Sequence, residues 1–235
     1  RPFDIEGVGE KAARDAIALL GSKKYEHTGR LTTIWNPIPM TSFLGSSLAQ
    51  AVQGKPVVEK RSPLVDMIGD EIGPKELSIY SNGQKPTGFG TFAIDAEGIP
   101  QRKNPIIENG VLKGFIFDSY WGNAFGVEST GNAARQGGRL PYEGPVSTSV
   151  KWLDVSPGKK NYDDIIASID GPAIELVDIP IGIGHSNIAT GEFSCVANSA
   201  YLVENGERKH SIKQTSIAGH FYKGLKNVVE IGSNV

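Results

Sequence analysis

Four histidines, one cysteine and a scatter of hydroxyl and acidic side chains are the groups in this chain that could do chemistry. His27, His185, His210 and His220 never fall three to five residues apart, so no helix can offer two imidazoles to one metal ion. His210 and His220 lie in strand-like sequence, and a site with His185 and Cys195 would need a tertiary convergence that no spacing announces. A lone Cys195 excludes an internal disulfide and a multi-thiolate zinc site. For a serine nucleophile the chain offers Ser46 and Ser47 in "GSSLA". A hydrolase elbow needs Gly-x-Ser-x-Gly behind a strand, and a Ser-x-x-Lys pair needs a lysine where Ala49 and Gln50 stand.

Among the acids, Asp95 and Glu97 share one extended segment and could serve acid–base or cation chemistry. Beside Gly98 and Pro100 they read better as a turn with Asx-type bonding. "TGFGTF" (87–92) lacks the helix and the Lys-Ser/Thr that a phosphate loop requires. Thr130 and Asn132 in "ESTGNAARQGG", and Thr190 and Gly191 in "IATGEFS", belong to loops of the kind that line clefts or simply turn tightly. With Asp95 and Glu97 they form the set of candidate binding residues.

These side chains must be positioned by a fold of 235 residues, ample for a sizeable core. Twenty-four basic against 26 acidic residues give a net charge of -2, which offers no electrostatic footprint for nucleic acid or an anionic membrane. The most basic run, 209–226, reads as a solvated face. No apolar run approaches a membrane span and no signal peptide is visible, so a cytoplasmic location is the expectation. The start at Arg1 suggests a fragment. Its 29 glycines, about 12% against a typical ~7%, mark hairpin ends and close backbone approaches.

The periodicity of "VGEKAARDAIALL" (8–20) predicts an amphipathic helix with Ala12, Ala16, Leu19 and Leu20 on one face. "LTTIW" (31–35) predicts a strand, closed by a turn over the Asn36-Pro37 and Ile38-Pro39 pairs. "FLGSSLAQAVQG" (43–54) predicts a helix with Leu44, Leu48 and Val52 as its buried stripe, ended by Gly54 and Pro56. Ser62–Met67 predicts a further helical turn. Strand patterns dominate after residue 77, with Asn-Gly turn signals at 82–83, 109–110 and 205–206. A short helix is expected over 162–169 and a buried strand over 173–184. The class is α+β, with N-terminal helices followed by a mixed, largely antiparallel β-sheet in one domain.

Five marks in order, Asp95-x-Glu97-Gly98, Glu108-Asn109-Gly110, Ser129-Thr130-Gly131-Asn132, Thr190-Gly191-x-Phe193-Ser194 and Ile231-Gly232-x-Asn234, resemble the carboxy-terminal region of the TldD/PmbA family. The resemblance runs from about residue 8 to the end. It implies that residues 1–235 are one domain of that type, with the family's amino-terminal domain and extreme C-terminal tail absent. In that family TldD-type subunits carry a zinc-binding His-Glu-x-x-x-His helix and act as metallopeptidases, whereas PmbA/TldE-type subunits lack it. Laid on that helix, the two histidine positions fall on Gly45 and Gln50 and the glutamate position on Ser46, none of which can do its counterpart's work. The resemblance therefore implies a zinc-free subunit with no catalytic or metal-binding residue of its own. Its expected partner is a zinc-bearing TldD-type subunit or a second copy of itself, around a cavity that takes a peptide. It implies no direct contact with nucleic acid or membrane. Two other readings stay open: a hydrolase using Ser46 or Ser47, or a His-based site, and a non-enzymatic regulatory binding module.

Overall fold

Two pairs of residues show how local chemistry sets this fold. Asn109-Gly110 and Asn205-Gly206 both take left-handed backbone (φ 51° and 79°, 52° and 76°), the conformation a tight hairpin turn requires. The computed structural model describes residues 4–86, 88, 91–135 and 140–234. Along the chain it forms α1 (Ile5–Leu20), β1 (Thr32–Trp35), α2 (Pro37–Ser46), α3 (Leu48–Ala51), α4 (Gly54–Val58) and β2 (Ile79–Asn82). Then follow β3 (Lys103–Glu108), β4 (Val111–Leu112), α5 (Ser119–Phe125), β5 (Ala133–Arg135), β6 (Val146–Thr148), β7 (Leu153–Val155) and α6 (Tyr162–Ala167). The last elements are β8 (Pro172–Leu176), β9 (Glu192–Ala197), β10 (Ala200–Glu204), β11 (Glu207–Ile212), β12 (Thr215–His220) and α7 (Phe221–Lys226).

The class is α+β, as expected. The strands divide into four sheets, in the orders β1-β8-β10-β11, β4-β3-β2-β7, β12-β9 and β5-β6. Only β1–β8 pairs in parallel among the described strands; every other pairing is antiparallel. Among the described residues no helix is long and apolar enough to cross a membrane.

Four local expectations need correction. Pro37 and Pro39 do not make a turn; they open α2. The first N–H groups of a helix have no intrahelical acceptor, so proline loses nothing there. The single helix over 43–54 is broken at Ser47 (φ -114°, ψ -77°), and Gly54 and Pro56 begin α4 where they were expected to end a helix. Ser62 does offer its hydroxyl to Leu64 N–H at 3.2 Å, but 62–67 remains a run of turns. The 173–184 strand ends at Leu176.

Helix α1 forms as predicted, capped by Asp4, whose carboxylate accepts from Gly7 N–H at 2.9 Å. None of its residues is buried, and Leu20 is 87% exposed. Its tie to the rest is local: Ser211 Oγ donates to Ala18 O at 2.7 Å.

The largest cluster of buried side chains contains Leu44, Leu48 and Val52 (5%, 0% and 0% exposed), with Ile79, Ile106, Ile107, Leu112 and Phe221 around them. The stripe read from the sequence is thus core. Phe43 stacks on Trp35 at 4.7 Å and meets Phe193 and Phe221 edge-on, which fixes α2 against β1, β9 and α7.

A second device ties β1 to its neighbours. Glu175 on β8 is fully buried and receives Arg208 Nε and Nη2 at 2.7 and 2.6 Å, Tyr162 Oη at 2.9 Å and Asn36 Nδ2 at 2.9 Å. Asn36 immediately precedes α2, so this saturated carboxylate also anchors the entry to that helix.

Candidate functional site

Helices α2 and α3 form one wall of a cavity of about 1060 Å³. Met40, Thr41, Leu44, Gly45, Ala49 and Gln50 line that side, Ser149–Pro157 the opposite side, and residues of the chain's last segment close a third. A volume of this order accommodates a ligand of several residues. A Cβ built on Gly45 meets nothing within 4 Å, so this position opens into free space. Gln50 is exposed on the same wall. The break at Ser47 explains how both reach it: five residues on an unbroken helix turn about 500°, leaving the two about 140° apart.

Ser46 stands apart from the cavity lining; its hydroxyl lies 3.2 Å from both the Phe43 and the Ile183 carbonyl oxygens. Ser47 Oγ is buried with no hydrogen-bond partner among the described residues. Among the described residues neither hydroxyl is hydrogen-bonded to a base that could activate it. A zinc ion does not fit the donors at these positions: glycine offers none, the Ser46 hydroxyl is turned to backbone carbonyls, and an amide is a poor ligand. Nor do three His, Cys, Asp or Glu side chains converge elsewhere among the described residues. His185 is exposed, His220 accepts from Lys223 N–H at 3.4 Å at the start of α7, and Cys195 is buried, its thiol pushed up to about 11 by burial.

The opposite wall is charged. Asp154 on β7 accepts from Lys85 Nζ at 2.6 Å and Asn82 Nδ2 at 2.8 Å, with Lys103 Nζ 4.0 Å away. Burial alone would raise its carboxyl, but these hydrogen bonds and the two ammonium charges outweigh burial and hold it below the ordinary carboxylate value. Lys151 donates to the Ala133 carbonyl and, among the described residues, is in ion-pair contact with no carboxylate. Burial pushes its ammonium below the ordinary lysine value, and the charge of Asp95 draws it partly back.

Among the described strands, β7 is the edge of its sheet. Tyr80 pairs with Asp154, while Trp152 O and Ser156 N–H bond toward β2 at 2.8 and 2.9 Å. By alternation, the N–H and C=O groups of Leu153 and Val155 point away from β2, along the edge that borders the cavity. Sequence reading did not single out this segment; charged Lys151 and Asp154 flanking Trp152-Leu153 were the signal available.

The six candidate binding residues fall into two places, and none lines the cavity itself. Asp95 Oδ1 accepts from Glu97 and Ile99 N–H at 2.9 and 3.0 Å and its Oδ2 from Ala133 N–H at 2.9 Å, the Asx-type turn expected beside Gly98. Glu97 turns the other way and accepts from Ser119 N–H at 2.8 Å at the head of α5. Thr130 Oγ1 accepts from Phe117 N–H at 2.8 Å and lies 2.9 Å from Asn132 Oδ1. Asn132 in turn donates to Ser81 Oγ and to Ser149 O at 2.8 and 3.0 Å. Asp95 and Asn132 therefore brace the cavity wall from behind, through Ala133 and Ser149. Thr190 and Gly191 lie in a separate turn organised by Asn187, whose side chain accepts from Ala189 and Thr190 N–H. Half of "TGFGTF" (87, 89 and 90) lies outside the described residues; Gly88 N–H bonds to Lys85 O at 3.0 Å.

Comparison with known proteins gives this arrangement a context. Residues 28–235 match the family described as the PmbA/TldA metallopeptidase C-terminal domain. A Metalloprotease TldD homolog of Buchnera aphidicola is 30% identical over 232 residues, covering 98% of this chain and 46% of that protein. A Metalloprotease PmbA homolog of Haemophilus influenzae is 28% identical over 228 residues, covering 97% and 46%. The crystal structure of TldE from Thermococcus kodakarensis superposes with a TM-score of 0.87 at 30% identity, covering 99% of this chain and 51% of that one. The chain thus spans about half the length of the curated relatives it matches. With a family match over nearly its whole length and a solved relative of the same fold, this chain belongs to the TldD/PmbA metallopeptidase family, as its C-terminal domain.

Proposed function

We propose that this chain serves a zinc-free subunit of the PmbA/TldE type, which holds peptides or unfolded segments for proteolysis by a zinc-bearing TldD-type partner. The observation that carries this reading is that Gly45 and Gln50, which the resemblance lays on the family's two zinc-binding histidines, both open onto the large cavity, and neither is a zinc ligand. Ser46, at the glutamate position, is no general base near neutral pH.

What these residues can do is bind and orient. The edge of β7, unpaired among the described residues, offers the main-chain groups of Leu153 and Val155 to an extended peptide, and main-chain pairing is indifferent to sequence. Trp35, Met40, Leu44 and Trp152 supply apolar surface for the peptide's side chains. Such a cavity suits varied unfolded chains better than one defined small molecule. The association is a heterodimer with the TldD-type subunit or a homodimer, with no role for nucleic acid.

Co-purification from the native source followed by a peptidase assay tests this reading. The expected result is no hydrolysis by the purified protein alone and hydrolysis, abolished by a chelator, once the TldD-type partner is present. Chelator-resistant hydrolysis by the protein alone would contradict it and favour an independent hydrolase.

A further inference from the structure

The wall that carries the free edge of β7 also carries three ammonium groups, Lys85, Lys103 and Lys151, against the single carboxylate of Asp154. Asp154 is already engaged by Lys85 and approached by Lys103, and Lys103 also lies over the Tyr80 ring at 4.0 Å. Glu230, on another wall, is taken up by Lys160 at 2.6 Å. Among the described residues Lys151 is the half-buried cation of this wall that stands in ion-pair contact with no carboxylate, feeling only the more distant charge of Asp95. It is held in place: its Nζ donates to Ala133 O, and the Ala133 N–H is fixed by Asp95. It also stands two residues before Leu153, at the N-terminal end of the open edge.

We propose that Lys151 recognises a carboxylate on the bound peptide, and that a peptide added antiparallel to β7 meets it with its own C-terminal carboxylate. Antiparallel addition runs the peptide's C-terminus toward the N-terminal end of β7, which is where Lys151 lies. A cation met at one end of a sequence-indifferent edge sets the register of the peptide, which main-chain pairing alone leaves free to slip. The cavity would thereby favour free chain ends, or segments with an acidic residue at that point. A charge-assisted hydrogen bond in a half-buried site is about twice as strong as a neutral one. This inference rests on the reading of β7 as the docking edge.

The test is fluorescence anisotropy with three labelled hexapeptides of alternating valine and threonine, on the full-length protein. One has a free C-terminus, one a C-terminal amide, and one an amide with glutamate as its last residue. Each is titrated against the unmodified protein and Lys151→Met, whose thermal midpoint is checked to be unchanged. The expected result is roughly tenfold tighter binding of the free acid than of the amide, shrinking to within about twofold in Lys151→Met. If the glutamate peptide alone recovers the affinity, the carboxylate read is a side chain's and the C-terminal assignment is overturned. Equal binding of acid and amide, or an equal loss of both in Lys151→Met, overturns the proposal while leaving the β7 edge standing. Failure of every peptide to bind the unmodified protein overturns the β7 reading and this inference with it.

Discussion

Gly45 and Gln50 face one cavity because the helix between them is interrupted at Ser47, where the backbone turns and a hydroxyl is buried without a partner among the described residues. The break is an arrangement of backbone. The hydrophobic stripe of Leu44, Leu48 and Val52 holds both helical pieces in the core, so the scaffold does not depend on the chemistry it could carry.

The two glycines at the ends of this stretch should respond oppositely to a methyl group. Gly45→Ala meets open space inside a helix and should stabilise by up to about 1 kcal/mol. Gly54→Ala would drive a Cβ to 2.6 Å from Trp121 Cβ and 2.8 Å from Phe117 Cδ1, costing about 1–3 kcal/mol. Urea midpoints of the two variants check the signs.

Ser47→Ala removes a buried hydroxyl that no group among the described residues satisfies. The prediction is an unchanged or raised denaturation midpoint, by up to about 1 kcal/mol, because only a desolvated polar atom is lost. A clear loss of stability would mean the hydroxyl has a partner.

Arg208→Met strands the buried Glu175 carboxylate and should destabilise by about 3–5 kcal/mol. Replacing both, as Glu175→Leu with Arg208→Met, should recover much of that loss, although Tyr162 and Asn36 lose an acceptor. A double-mutant cycle in urea measures the coupling.

Alkaline pH should destabilise the fold. Burial is the leading cause that pushes the Cys195 thiol up to about 11 and the Tyr162 and Tyr222 phenols up to about 12, against ordinary values of 9.0 and 10.0. The folded chain holds these protons longer than the unfolded chain. Their contribution is therefore complete below about pH 9 and is lost as pH rises toward 12. Denaturant midpoints should fall steadily from pH ~9 to ~11, less steeply in Cys195→Ala and Tyr222→Phe. A flat profile would contradict the assignment.

Much of this fold is legible from residue type because local chemistry decides it. In a tight hairpin Asn-Gly takes left-handed backbone, and both Glu-Asn-Gly hairpins follow, whereas Asn82-Gly83 turns without it; Asp95 followed by Gly98 makes its Asx turn. What escapes the sequence is decided by tertiary context. Pro37 and Pro39 read as a turn until a helix begins at them, and the break at Ser47 leaves no mark in a uniform run of small residues. Glu175 stands in an apolar strand with its partner Arg208 33 residues away. The cavity is the clearest case. Its edge strand β7 is three residues long, and its lining comes from segments more than 100 residues apart, so only the chemistry of Gly45, Ser46 and Gln50 was readable in advance.

Zinc content, measured by elemental analysis of the protein purified without chelators, tests the central claim most directly. The account predicts far less than one zinc per chain in the protein alone, with zinc appearing in proportion to a TldD-type partner when the two are isolated together. One tightly bound zinc per chain in the protein by itself would contradict it.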